Sequence, residues 1–224
     1  MQKASFIFLI GVFAIADALF LYPKYQIYHD VELFAHAPEV VSRGHAAEAL
    51  VANALSDGSI SLENFTTDVT ASNTQAFSDF YQKNGGAGLF RVKIWDANYR
   101  VLWSDLSVLN GQRFSTNDEV REPYGSGDTV IKGTLGVLID EAVLYQKVCE
   151  LYCRNFMEVY IPVKNENEVV GIVELYYNVQ DVVDKLRGIF YWWLFVTSIG
   201  FFFTIATAYA YLWLKMHRTH DDTV

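Results

Sequence analysis

The chain has 224 residues, more than one ordinary domain of about 100 to 200 residues requires and too few for two large ones. At 52% hydrophobic and 19% charged, with mean hydropathy +0.14, it is too apolar for a disordered chain and carries an apolar excess that must sit somewhere. With 26 acidic against 17 basic side chains the net charge is −9, which opposes a broad phosphate-binding surface, so nucleic acid is not an expected partner.

The excess lies at the two ends. Residues 4–22, ASFIFLIGVFAIADALFLY, hold one ionisable group, Asp17, and come close to the length that crosses a bilayer. A transmembrane helix is expected over 1–22. A cleaved signal peptide is the alternative: Lys3 supplies a basic start, 6–13 an apolar core, and Ala14-Ile15-Ala16 or Ala16-Asp17-Ala18 a small-residue cleavage site. Either way the residues that follow are exported. A carboxylate within a span is costly and usually faces protein or water, so Asp17 marks a helix partner if it lies in the span, and nothing if it lies at the interface or beyond a cleavage site.

Residues 28–56 read as a helix, rich in alanine and stopped by Asp57-Gly58, with a kink or restart at Pro38. A second, short helix is expected over 74–83, capped by Asn73 or Ser72 and ended by Gly85-Gly86. The period then changes. Residues 89–95 alternate apolar and polar groups, 96–99 make a turn and 100–106 return, which predicts a hairpin of the first two strands. A loop containing Gly111, Pro123, Gly125 and Gly127 is followed by a third strand at 129–135 and a helix-like stretch at 140–153. Residues 155–163 and 169–179, joined by a turn at 164–168, form the strongest predicted hairpin, strands four and five. A polar helical turn, DVVDKLR, leads into residues 189–214, which carry no formal charge and have aromatic belts at both ends. This is a second span. Lys3, Lys215 and Arg218 favour both termini inside, which leaves 23–188 outside as one acidic domain, with 23 acidic and 14 basic residues, and 215–224 as a short cytoplasmic tail.

A long helix leaving the membrane, then FRVKIWDANYRVLWSD, then MEVYIPVKNENEVVGIVELYYNV, then an immediate membrane helix resembles the extracytoplasmic PAS-like (Cache-type) sensor domains of bacterial histidine kinases, diguanylate cyclases and chemoreceptors. The resemblance covers most of 28–189. It implies an α+β fold: a PAS-like five-stranded antiparallel sheet with a long N-terminal helix, flanked by two transmembrane helices. It also implies a small-molecule pocket on the face away from the long helix and a place in the bacterial inner (plasma) membrane, with the central domain periplasmic or extracellular. Such sensors continue after the second span into an output module, whereas KMHRTHDDTV holds none, so output through a separate membrane protein partner or a homodimer is expected. The rival readings are a non-catalytic accessory subunit of a larger membrane complex and the sensory half of a truncated kinase or cyclase.

Alternation places Arg91, Lys93 and Trp95 on one face of the first strand, Glu158 and Tyr160 on one face of the fourth, and Glu174 and Tyr176 on one face of the fifth. In the resembled fold strand five lies between one and four, so these groups converge in either of two ways. One is a pocket for a small polar molecule, to which Trp103 and Asp105 are weaker additions. The other is a cross-strand ion-pair network, Lys93 with Glu174 for example, that needs no ligand. Cys149 and Cys153 sit four apart and could close a disulfide on a helix, remain reduced and buried, or form a redox or metal pair. His29, Glu32 and His36 share a helical face but are too few for a structural zinc site, so no metal is assigned. No cofactor is expected. No nucleotide-binding loop, zinc-protease or serine-hydrolase motif occurs in a supporting context, and an enzyme is not expected.

Overall fold

The computed structural model describes residue 22 and residues 34–66, 71–86, 88–114, 118–135 and 155–221. The expectations for Asp17, His29, Glu32, Cys149, Cys153, the first span and the helix-like stretch at 140–153 lie outside these residues. The chain divides into two compact units, one spanning Asp30–Val183 and one that includes the chain from Asp184 onward.

In the first unit, helix α1 runs Pro38–Ser56. It begins at proline because that residue has no N–H to leave unsatisfied, while Ala37 before it is held extended. The predicted restart at Pro38 is therefore a true helix start. Asp57 closes the helix and Gly58 follows at φ +76°, a left-handed conformation that glycine adopts without penalty. Val40, Gly44, Ala47, Val51 and Ala54 are its buried face, a stripe spaced by three and four residues. A single turn, α2 (Glu63–Thr66), and α3 (Ala71–Asn84) follow. α3 extends the expected 74–83 by three residues at its start and one at its end.

The sheet has strands β1 (Leu89–Asp96), β2 (Val101–Ser104), β3 (Val130–Thr134), β4 (Phe156–Asn165) and β5 (Glu168–Asn178). Their order is β2-β1-β5-β4-β3 and every pairing is antiparallel. As the resemblance implies, β5 lies between β1 and β4. The stretch expected to be a loop contains a 3₁₀ turn at Ser107–Leu109 and helix α4, Asp118–Ser126.

One face of the sheet is apolar. Val92, Ile94, Val159, Ile161, Val173 and Leu175, all buried, share it by register. Trp103 opposite Ile94 joins them and meets Phe77 and Tyr81 of α3, with ring centroids 6.5 and 6.1 Å away. Gly171 also sits on this face. A β-carbon there would lie 2.4 Å from a ring carbon of Phe65 and 2.7 Å from the backbone oxygen of Trp95. Gly171→Ala is accordingly expected to cost about 1–3 kcal/mol, because a backbone carbonyl cannot step aside. Gly44→Ala meets only the mobile end of Ile131 at 2.3 Å and gains helix propensity of about 1 kcal/mol, so chemical unfolding should place it near wild type.

The second unit holds most of α5, which runs Gln180–Asp221 as one helix. The polar turn DVVDKLR and the apolar run are thus continuous. Among the described residues this is the one helix long and apolar enough to cross a membrane, with mean hydropathy 1.8 over its apolar window. Phe202 and Tyr209 are 72% and 71% exposed. The hydroxyls of Ser198, Thr204 and Thr207 donate back to the carbonyls of Leu194, Gly200 and Phe203 at 2.7–2.9 Å, which satisfies polar groups without help from solvent.

Candidate functional site

The other face of the sheet is polar, yet buried. Cross-strand register sets Lys93 opposite Glu174, Glu174 opposite Tyr160, and Tyr176 between Arg91 and Glu158. Trp95, Tyr160, Glu174 and Tyr176 are each at most 2% exposed, and Glu158 is 9% exposed. Burying so many ionisable groups is expensive unless each is paired and hydrogen-bonded.

These side chains form two hydrogen-bonded groups. In the first, Glu174 is the hub. Its Oε1 accepts from Lys93 Nζ at 3.1 Å and from the Tyr176 hydroxyl, and its Oε2 accepts from Trp95 Nε1 at 2.6 Å. Lys93 Nζ also donates to the Tyr176 hydroxyl and stands 4.6 Å from that ring's centroid, a cation–π arrangement. In the second, Tyr160 lies between two carboxylates, Glu158 on its own strand and Glu119 of α4, whose Oε2 is 3.1 Å from the hydroxyl.

The electrostatics follow from this crowding. Burial, reinforced by the charge of Glu174, pushes the Glu158 carboxyl up to about 8, while the Tyr160 hydrogen bond and Lys93 pull the other way. Burial and the same carboxylates hold the Tyr160 phenol well above its ordinary value. Burial also raises Asp105, against the opposing pull of the Val92 N–H and of Arg91.

α4 and the chain before it cover the end of this face around Trp95 and Tyr160. Trp95, Val101, Val120, Val130, Tyr160 and Ile172 pack as one apolar cluster, flanked by Tyr99, Phe114 and Tyr124. The Phe114 ring meets Trp95 edge-on at 5.7 Å.

The predicted site residues thus separate into three sets. Lys93, Trp95, Glu158, Tyr160, Glu174 and Tyr176 come together. Arg91 is buried in its own ion pair with Asp105, Nε to Oδ2 3.6 Å. Trp103 does not belong to the polar face, because its register opposite Ile94 turns it toward α3; that expectation is corrected. The expected Lys93–Glu174 ion pair is present. Glu119 was missed, since Pro123 and Gly125 disguise its helix as a loop. His36 is exposed. A recess of about 850 Å³ elsewhere in the domain, lined by Arg43, Lys83, Asn84, Gly88, Asn178 and Asp181, includes none of the predicted residues.

No protein-family model matches this chain, and no curated protein matches it. Similar solved structures include an extracellular ligand binding receptor from Desulfohalobium retbaense DSM5692, 12% identical, with TM-score 0.38, 65% of this chain covered and 25% of that one. They also include the A. aeolicus nlh2 GAF domain in an inactive state, 12% identical, with TM-score 0.32, 58% of this chain covered and 90% of that one. This chain therefore spans about a quarter of the receptor's length. Strand order and register define the architecture, an α+β fold with a five-stranded antiparallel sheet of order β2-β1-β5-β4-β3 and a long C-terminal helix.

Proposed function

We propose that this protein is a membrane-anchored extracytoplasmic sensor, in which residues 23–188 bind a small molecule or ion on the polar face of the sheet. It has no catalytic role of its own. Spans over 1–22 and 189–214 hold the domain on the outer side of a bacterial plasma membrane, and a change at the site passes through them to a separate partner. The observation that carries this reading is the asymmetry of the sheet. One face is filled with valine, isoleucine and leucine, as stability alone would favour, while the other buries Glu158, Glu174, Tyr160 and Tyr176 and half-buries Lys93. Buried charge is a weak way to gain stability, and clustered, perturbed ionisable groups gather at functional sites. A ligand must favour one arrangement of the site over another to signal at all.

The test is a thermal-shift screen of the full chain in detergent against carboxylates, amino acids, amines and divalent cations. A true ligand at about 100 times its Kd adds about 2.7 kcal/mol of stability. It should do so for wild type and lose much of that effect in Tyr176→Phe, which keeps the ring and removes the hydroxyl that donates to Glu174 and accepts from Lys93. A panel with no response, together with stable co-purification of another membrane protein, would replace this reading with that of an accessory subunit.

A further inference from the structure

We propose that Glu158, Tyr160 and Glu119 form a proton-operated latch that holds α4 on the sheet and lets it go as the outside solution becomes more alkaline.

The Tyr160 hydroxyl is within hydrogen-bonding reach of two carboxyl groups, Glu158 beside it and Glu119 at 3.1 Å. A phenol has one hydrogen to give. Shared between two charged carboxylates that hydrogen would leave them repelling each other, and both contacts become full hydrogen bonds when a second proton resides on one of the carboxyls. Glu158 is 9% exposed, and Glu119 sits exposed in the first turn of α4, so the proton belongs on Glu158, where ionisation is most costly. The chain then reads consistently: the Glu158 acid donates to the Tyr160 oxygen, and Tyr160 donates to the Glu119 carboxylate.

The groups around it reinforce this assignment. From β5, Glu174 adds a negative charge beside Glu158 and Tyr176 stands opposite it in register; from β1, Lys93 opposes that charge but is already engaged by Glu174 and Tyr176. From β3, Lys132 lies opposite Glu158, yet its Nζ donates to Glu122 of α4 at 2.8 Å. When the proton leaves for solvent, the Glu119 and Glu158 carboxylates face each other across the one Tyr160 hydroxyl hydrogen, with the charge of Glu174 nearby, and the contact that ties α4 to β4 is weakened by their repulsion. α4 is suited to respond, because Val120 and Pro123 are its only buried residues over Asp118–Ser126. Helices with few buried apolar contacts open first.

The sign is fixed by linkage. The docked carboxyl is raised from 4.5 to about 8, so docked α4 holds more proton than released α4 between those values. The stabilisation is complete below pH 4.5 and disappears as pH rises through about 8. Opening should grow by about tenfold per pH unit within that window, and by about fifty-fold from about pH 6 to about pH 8 if release returns Glu158 to its ordinary value.

Hydrogen exchange of the α4 amides in the full chain in detergent, corrected for intrinsic rate, reads this directly. Wild type should lose protection between those two pH values, while the rest of the sheet keeps it. Glu158→Gln and Glu119→Gln each supply the missing donor and should hold α4 docked at both. Protection in wild type that does not change with pH, or a change equal to wild type in whichever of the two variants folds, would overturn the latch. The latch stands independently of any small-molecule ligand, so a silent thermal-shift screen leaves it intact.

Discussion

Lys93→Met is expected to destabilise the domain by about 3–5 kcal/mol in chemical unfolding of the full chain. Methionine keeps the length and flexibility of the side chain, so the loss reports charge rather than shape. The Lys93 and Glu174 side chains are 12% and 1% exposed, with Nζ and Oε1 3.1 Å apart. Without the ammonium, Glu174 retains two neutral donors, the Tyr176 hydroxyl and the Trp95 indole, but its charge stays buried with no counter-charge in contact among the described residues. The cost is that of an orphaned ion, not the net worth of the pair. The double variant Lys93→Met/Glu174→Gln separates the two and should recover most of the loss. A single variant within about 1 kcal/mol of wild type would mean that the pair behaves like an exposed surface bridge, and the polar face would then be open to water.

Trp95→Ala should cost a similar amount, about 3–5 kcal/mol, for a different reason. Trp95 joins the polar and apolar halves of the same face. Its ring packs into the cluster with Val101, Val120, Val130, Tyr160 and Ile172, and its Nε1 donates to Glu174 at 2.6 Å. Trp95→Phe divides these contributions: most of the packing stays, and the loss should fall to about 1.5–3 kcal/mol, the range for a hydrogen bond to a charged group. Equal losses in the two variants would show that the indole hydrogen bond carries the whole effect.

Much of this arrangement is written in the alternation of residues. LFRVKIW and FMEVYIPV place every second side chain on one face, so the grouping of Lys93, Trp95, Glu158, Tyr160, Glu174 and Tyr176 follows from period alone once β5 lies between β1 and β4. Trp103 escaped because its position depends on how β2 pairs with β1, and a register irregularity between Ile94 and Trp95 makes Trp103 the partner of Ile94. One step of register moves a side chain to the other face. α4 escaped because Pro123 and Gly125 are strong breaker signals; the helix exists through the burial of Val120 and Pro123 against the sheet, a tertiary cause that local propensity does not contain. The start of α1 was legible only in part: Pro38 marked a break, and the extended Ala37 made that break the helix start.

The order of the strands has a consequence for biosynthesis. The ribosome delivers β1 and β2 early and β3 and β4 next, but the strand that unites the two pairs, β5, comes last. Until Asn178 has emerged, β1 and β4 each present an open hydrogen-bonding edge, and such edges invite association with other chains. Gln180 opens α5 just two residues later, so closure of the sheet and delivery of the greasy segment are nearly simultaneous. A fragment that ends before Glu168 would leave two half-sheets without the strand that joins them.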